Sequence, residues 1–231
     1  MSLLFQPIAP VVAPTSTGEG FPVRRIFCIG RNYEEHAKEM GLQADPEAPF
    51  FFTKWAETVV SDGATIPYPQ GTANFHYEAE LVVAIGKGGR NIPRAEALGH
   101  VWGYATGLDM TRRDLQLEAR GKGRPWDPGK NFEQSSPLGL IHPAAALGDA
   151  SKGAITLTVN GELRQRGDLS ELINPVDRLI EFLSSLYHLE QGDLIYTGTP
   201  AGVGAVTPGD IMVVEVEGLS RLSITVGELA G

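Results

Sequence analysis

One cysteine, an excess of acids over bases and no long apolar run set the first limits on this chain. Cys28 sits in the run Ile26-Phe27-Cys28-Ile29. A single thiol closes no internal disulfide, and in that context it reads as core. There are 19 Lys and Arg residues against 28 Asp and Glu, a net charge of -9. Nothing here forms the basic patch that neutralising phosphates requires, so nucleic acid is not expected as a partner. No apolar run approaches membrane-spanning length, and no charged-then-apolar signal segment opens the sequence. The expectation is a cytoplasmic or organelle-interior enzyme with no membrane partner. No repeat, linker or second composition divides the 231 residues. At 42% hydrophobic and 20% charged they suit one globular domain with a sizeable core.

What is there is organised around Asn74 to Gly86. This stretch opens polar and acidic, turns apolar and stops at glycines, as a strand ending in a turn does. Side chains two apart on a strand share a face, so His76, Glu78 and Glu80 are expected to project together, with Val82 and Ala84 continuing inward. Two carboxylates at the mouth of a buried strand repel each other and need a partner. A hard divalent cation is one; solvent at a half-exposed strand edge is the plainer alternative.

Residues 1–20 read as an N-terminal extension with at most one short edge strand, and residues 21–231 as a single β-rich catalytic domain. Arg24 to Ile29 is expected as a strand and Glu34 to Met40 as a short helix stopped by Gly41. His36 and Glu39, three apart, share a face of that helix; they suit a general-base dyad or an ordinary surface pair. Pro46 to Lys54, with Phe50, Phe51 and Phe52, is expected as a buried strand. Pro93 to Gly99 suits a short helix. Val101 to Leu108 reads as a strand running into Asp109, which is either the N-cap of the next helix or a ligand aimed into a site. Lys130 is placed near the start of another strand. Asn160-Gly161 marks a hairpin between Ile155 to Asn160 and Glu162 to Arg166. Val176 to His188 is the clearest amphipathic helix. Leu194 to Thr197 is a strand feeding Gly198 to Gly204, a loop without the Lys-Ser/Thr ending of a phosphate cradle but with amides and a Thr199 hydroxyl able to hold a carboxylate. Ile211 to Val216 and Ser220 to Val226 finish the chain.

Several of these segments together resemble the fumarylacetoacetate hydrolase family, most closely its short acylpyruvase-like branch. They are Ile29-Gly30-Arg31-Asn32-Tyr33 with His36 and Glu39, His76-Tyr77-Glu78-Ala79-Glu80, and Gly107 through Gln116. Gly123-Arg124-Pro125-Trp126 with Lys130, Val159-Asn160-Gly161-Glu162 and Thr197 through Gly204 complete the set. The match spans about residues 24 to 217, in order. It implies an α+β, β-rich fold, a rolled mixed β-sheet arrangement with peripheral helices, and a homodimer. It also implies that Glu78, Glu80 and Asp109 ligate Mg²⁺, with Mn²⁺ or Ca²⁺ as substitutes. Lys130 matches the active-site lysine, His36 and Glu39 the catalytic pair on a lid, and Arg113, Gln116 and Thr199 substrate-contacting positions. The family's longer members carry an N-terminal domain that is not matched here.

The chemistry implied is hydrolysis of an oxo-diacid. Three carboxylates on one cation leave positions for the carboxylate and ketone of an acylpyruvate. Lys130 adds a second positive charge, His36 and Glu39 activate water, and carbon–carbon cleavage leaves a pyruvate enolate. Fumarylpyruvate, from aromatic catabolism, is the preferred substrate, with Arg31 or Arg112 as candidate readers of its distal carboxylate. Oxaloacetate decarboxylation, hydroxymuconate-type isomerisation and oxo-acid dehydration pass through related enolates and stay open, as does metal binding without catalysis.

Overall fold

The computed structural model describes residues 3–41, 49–147 and 150–230. An eight-stranded mixed sheet carries the strands in the order Phe50–Lys54, Arg25–Gly30, Asp193–Tyr196, Ala79–Ile85, Val101–Leu108, Ser136–Leu138 and Val59–Ser61, with His142–Pro143 also paired to Val101–Leu108. A five-stranded sheet runs Glu162–Asp168, Ala154–Val159, Ile211–Val216, Leu222–Leu229 and Thr65–Tyr68. Each sheet includes parallel as well as antiparallel neighbours, for example Asp193–Tyr196 beside Arg25–Gly30. This is the β-rich α+β architecture expected.

Local signals explain the best-defined pieces. Asn160 and Gly161 adopt φ of 52° and 82°, the positive pair that a two-residue hairpin turn needs to match strand twist. The helix Val176–Leu186 buries Val176, Leu179, Ile180 and Leu183 on one stripe and starts after Pro175. It ends two residues earlier than the periodicity suggests, where Tyr187 turns extended.

The strand Ala79–Ile85 is buried along its whole length because both faces of its sheet are covered. Leu81, Val83 and Ile85 point into the larger core, shared with the five-stranded sheet and the helix Val176–Leu186. Val82 and Ala84 point into a smaller core with Cys28 and Tyr196, to which Ala13, Phe21 and Val23 from the N-terminal region also belong. Residues Val12–Pro14 and Gly20–Pro22 form a hairpin of their own, so two strands stand where the sequence suggested at most one.

Three expectations need correction. The stretch from Asn74 is two strands, Phe75–Tyr77 and Ala79–Ile85, interrupted at Glu78 and belonging to different sheets. The aromatic run Phe50–Lys54 is not a buried strand: Phe50 is exposed, Phe51 and Phe52 are half-buried, and only Lys54 is fully inside. It lies at the edge of the eight-stranded sheet, where Phe50 and Phe52 pack on Trp126 and Phe51 and Phe52 only flank the two cores; the expected start, Pro46 to Ala48, lies outside the described residues. Lys130 ends a short helix, Asp127–Lys130, instead of beginning a strand.

The interruption at Glu78 is a bend in one continuous ribbon. Ala79 pairs with Leu108 on one side of it and His76 with Thr111 on the other. Both pairs sum to the same register, so Glu78 lies opposite Asp109, whose N–H donates to the Glu78 carbonyl at 2.9 Å. Glu80 faces Gly107. A methyl group at Gly107 would sit 2.5 Å from Val82 Cγ2 and 2.9 Å from Tyr196 Cε1. Gly107→Ala is therefore expected to destabilise the protein by about 1–3 kcal/mol, the usual cost of overpacking. Chemical denaturation measures this directly, and an unshifted midpoint would mean that the ribbon widens freely beside Glu80.

Candidate active site

The bent ribbon brings the three acidic residues together without any long-range coincidence. Glu78, at the interruption, and Glu80, in the strand after it, are two apart on a ribbon whose pairing register is unbroken, and Asp109 is directly across from Glu78, so the three side chains come together. Their carboxylate oxygens lie within 4.8 Å of one another. The residues are 4%, 1% and 1% exposed, respectively. Asp109 thus belongs to the carboxylate cluster and is not a helix cap; the helix Arg113–Gly121 begins four residues later, after Arg112. His76 does not join the cluster. Its ring bonds Asn74 and takes an Arg113 Nε contact at 3.4 Å.

Burying three carboxylates requires compensating charge. Lys130 Nζ donates to Glu78 at 2.6 Å and to Asp109 at 2.7 Å. Arg113 donates to the other Glu78 oxygen and, at 2.6 Å, to Gln116. Lys54 Nζ stands 2.6 Å from Asp109 and donates to the carbonyls of Ser135 and Met110. Burial by itself would raise the Glu78 carboxyl, but Lys130 and Arg113 hold it well below the usual carboxylate range. Glu80 is treated differently. Burial and the nearby Asp109 and Glu78 charges push it well above that range, and it accepts only the Gly198 N–H, at 2.8 Å.

The donor set fits a hard divalent cation. It is all carboxylate oxygen, closely spaced and buried, and Glu80 is the member that makes no direct ion pair among the described residues, the Lys130 charge acting on it only from a distance. Glu78, Glu80 and Asp109 would hold the ion.

The other sequence-derived candidates mostly converge on the same cleft. Arg31, His36, Arg113, Gln116, Lys130 and Thr199 all line it together with the three carboxylates. His36 Nδ1 stands 3.2 Å from Glu39. Glu39 also accepts the Gly202 N–H at 3.2 Å, which ties the helix Glu34–Glu39 to the loop after Tyr196. Burial lowers the His36 pKa, more than the nearby carboxylates raise it. Thr199 accepts from Gln165 Nε2 at 2.8 Å. Gly198 is obligatory there: its φ is 101° and a Cβ would meet Asn32 at 2.8 Å. Arg112 is not part of the cleft lining; it stacks on Phe132 at 4.2 Å and donates to the Pro128 carbonyl.

Two participants escaped the sequence reading. Lys54 closes an aromatic run, and a fully buried lysine there was the one available signal. Gln165 is fully buried in the hairpin strand Glu162–Asp168 and holds both the Ala79 N–H and the Thr199 hydroxyl; no local pattern marks it.

Fold and site together define a β-rich protein with a buried acidic cleft suited to a divalent cation. The family profile for the fumarylacetoacetate (FAA) hydrolase C-terminal domain matches residues 25–227, and the chain belongs to that family. It is 52% identical over 190 residues to a fumarylpyruvate hydrolase of a Ralstonia species, covering 81% of this chain and 98% of that protein. It is 40% identical over 203 residues to the mitochondrial oxaloacetate tautomerase of Homo sapiens, covering 88% of this chain and 91% of that protein. The crystal structure of fumarylpyruvate hydrolase from Pseudomonas aeruginosa in complex with Mn²⁺ and pyruvate superposes with a TM-score of 0.95 at 50% identity, covering 99% of this chain and 100% of that one.

The site predicts a specific response to metal. Saturating Mn²⁺ is expected to raise the melting temperature of the protein, since at a hundredfold excess over Kd a ligand adds about 2.7 kcal/mol. Glu80→Gln is expected to lose that increase. Without metal the variant should melt no lower than the parent, because an amide oxygen there keeps the Gly198 bond and, like the carboxyl whose raised pKa holds it neutral, sets no third negative charge beside Asp109 and Glu78. A metal-induced shift that survived in Glu80→Gln would remove Glu80 from the ligand set.

Proposed function

We propose that the chain is a metal-dependent hydrolase that cleaves the carbon–carbon bond of an acylpyruvate, with fumarylpyruvate the preferred substrate, giving fumarate and pyruvate. The observation that carries this reading is His36, which lines the same cleft as the carboxylate cluster and is backed from behind by Glu39, itself outside the lining, at 3.2 Å. The identity to a fumarylpyruvate hydrolase supports it. Mg²⁺ is the proposed resident ion, with Mn²⁺ or Ca²⁺ able to replace it. We further propose residues 21–231 as one catalytic domain, residues 1–20 as an extension, a homodimeric assembly, a cytoplasmic location and a role in aromatic catabolism. No helix among the described residues is long and apolar enough to cross a membrane.

The residues divide the work as follows. A divalent ion, when bound by Glu78, Glu80 and Asp109, supplies Lewis acidity to the 2-oxo acid end of the substrate. His36 provides the base. Because a carboxylate can only accept, Nδ1 carries the proton shared with Glu39, which leaves Nε2 free to take a proton from water. Its lowered pKa keeps the ring neutral at ordinary pH. The water oxygen bonds to the C4 carbonyl carbon, the C3–C4 bond breaks, and its electron pair passes to C3 and the 2-oxygen. Lys130, whose ammonium is stabilised by Asp109 and Glu78 against its burial, places positive charge near that developing oxyanion. Protonation at C3 by the charged His36 completes pyruvate, and the acyl fragment leaves as a carboxylate. Arg113, Gln116 and Thr199 orient the substrate.

The tautomerase relative favours one second reading. Oxaloacetate presents the same oxo-acid end, and enolisation or loss of CO₂ needs no activated water. Product analysis separates them: fumarate plus pyruvate from fumarylpyruvate, at a kcat/KM well above any turnover of oxaloacetate, is expected. The reverse ranking would replace the hydrolase reading. His36→Ala should lower kcat by about 10²- to 10⁴-fold, the range for a lost general base, while Mn²⁺ affinity stays intact. The kcat/KM profile of the parent should be full above the His36 pKa and fall as pH drops through it. Since burial sets that value below the ordinary 6.5, the acid limb belongs below pH 6.5. An acid limb that persists unaltered in His36→Ala would assign the base elsewhere.

A further inference from the structure

Beside the acidic cluster, the cleft lining also carries positive side chains, Arg31 and Arg120 among them. Arg31 is held at φ 60°, a left-handed conformation unusual for a residue with a side chain. Strain of this kind persists where surrounding structure imposes it, and it concentrates at ligand clamps. The guanidinium lies over the Phe50 ring at 5.0 Å and near the Trp126 ring at 5.9 Å. Among the described residues its Nε is buried with no hydrogen-bond partner. Burial and, after it, the nearby positive Arg120 lower its pKa; both side chains line the one cleft, and among the described residues neither guanidinium has an ion-pair partner. Arg120 donates to the Met40 carbonyl at 3.2 Å, a neutral acceptor.

The contrast within the protein is instructive. Lys54, Arg113 and Lys130 are saturated by Asp109 and Glu78. Arg112 is engaged outside the cleft lining. Among the described Lys and Arg residues lining the cleft, Arg31 and Arg120 are the two whose donors no buried acid claims.

We propose that Arg31 and Arg120 form an anion subsite that takes the distal carboxylate of a dicarboxylic acylpyruvate, so that the acyl group is selected by its terminal charge. This rests on the hydrolase reading and specifies the substrate class of that site. The substrate's two ends then meet different groups: the oxo-acid end meets the metal-binding cluster and the terminal carboxylate meets the two arginines. Arginine suits the task through its planar fork of donors, and aromatic faces beside it keep it oriented and partly dry. A neutral acyl group leaves those donors unpaired, which is how a polar site rejects a substrate lacking the matching group.

The test uses two pairs of compounds. Fumarylpyruvate and acetylpyruvate compare turnover. Two unreactive 2-oxo acids, 2-oxoheptanedioate and 2-oxoheptanoate, differ only in the terminal carboxylate and compare binding to the Mn²⁺-loaded protein by calorimetry. The parent is expected to prefer the charged member of each pair. Arg120→Gln should shrink both preferences at least about tenfold, the scale of one hydrogen bond to a charged group, with the turnover effect mainly in KM. Arg120→Lys should restore part of the binding preference. Preferences unchanged in Arg120→Gln, or absent in the parent, would overturn the subsite. A parent that cleaves neither acylpyruvate yet binds the diacid preferentially, with that preference lost in Arg120→Gln, would overturn the hydrolase reading and leave the subsite standing.

Discussion

Three buried carboxylates at the bend of one antiparallel ribbon place a demand that much of the surrounding architecture meets. Stripping water from an ionised side chain costs several kcal/mol even after the protein relaxes. Glu78 and Asp109 therefore require Lys130, Arg113 and Lys54, and each of these must arrive from a different element. The edge strand Phe50–Lys54 brings one, the first residue of the helix Arg113–Gly121 another, and the short helix Asp127–Lys130 the third. Elements that look peripheral in the sheet diagram are thus held by charge as well as by packing. Glu80, left facing two like charges and one amide, is the member through which the cluster remains receptive to a cation.

Around that centre the cleft is assembled from parts with different degrees of attachment. The ribbon and the loop at Gly198 are locked by buried hydrogen bonds; Asn32, for example, ties Thr197 and Asn174 together through its amide. The helix Glu34–Glu39 is attached more lightly. Its outer residues Glu34, Glu35 and Lys38 pair only with one another, and Glu39 links it to the Gly202 amide. His36, the base proposed for the reaction, sits on this element, and the proposed metal-binding groups sit on the ribbon. The cleft lining holds both the carboxylate cluster and the arginines Arg31 and Arg120, so the dicarboxylic substrate proposed for it would meet different groups at its two ends.

Legibility in the sequence followed the range of the interactions. Val101–Leu108 matched its expected limits, and the Asn160-Gly161 hairpin formed as expected, because alternation and turn chemistry act over neighbouring residues. The three carboxylates were nameable because two of them share a strand face and the third ends the next strand. The break at Glu78 was not visible: unbroken pairing on both sides hides a change of sheet. Nor was the exposure of the phenylalanine run, since hydrophobicity says that a strand packs but not that it packs at an edge against Trp126.

The sequence by itself determined the acidic strand, the glycines that let backbone approach it, the helical dyad of His36 and Glu39 and the family to which these belong. Each of those depends on identity and spacing within a few residues. Only the tertiary structure decided that Lys54 pairs with Asp109, that Gln165 braces Thr199, that Arg112 turns away and that Arg31 and Arg120 line one cleft. Those pairings join residues dozens of positions apart. Charge and shape make them favourable, but the folding of two sheets around a bent ribbon is what brings them within reach.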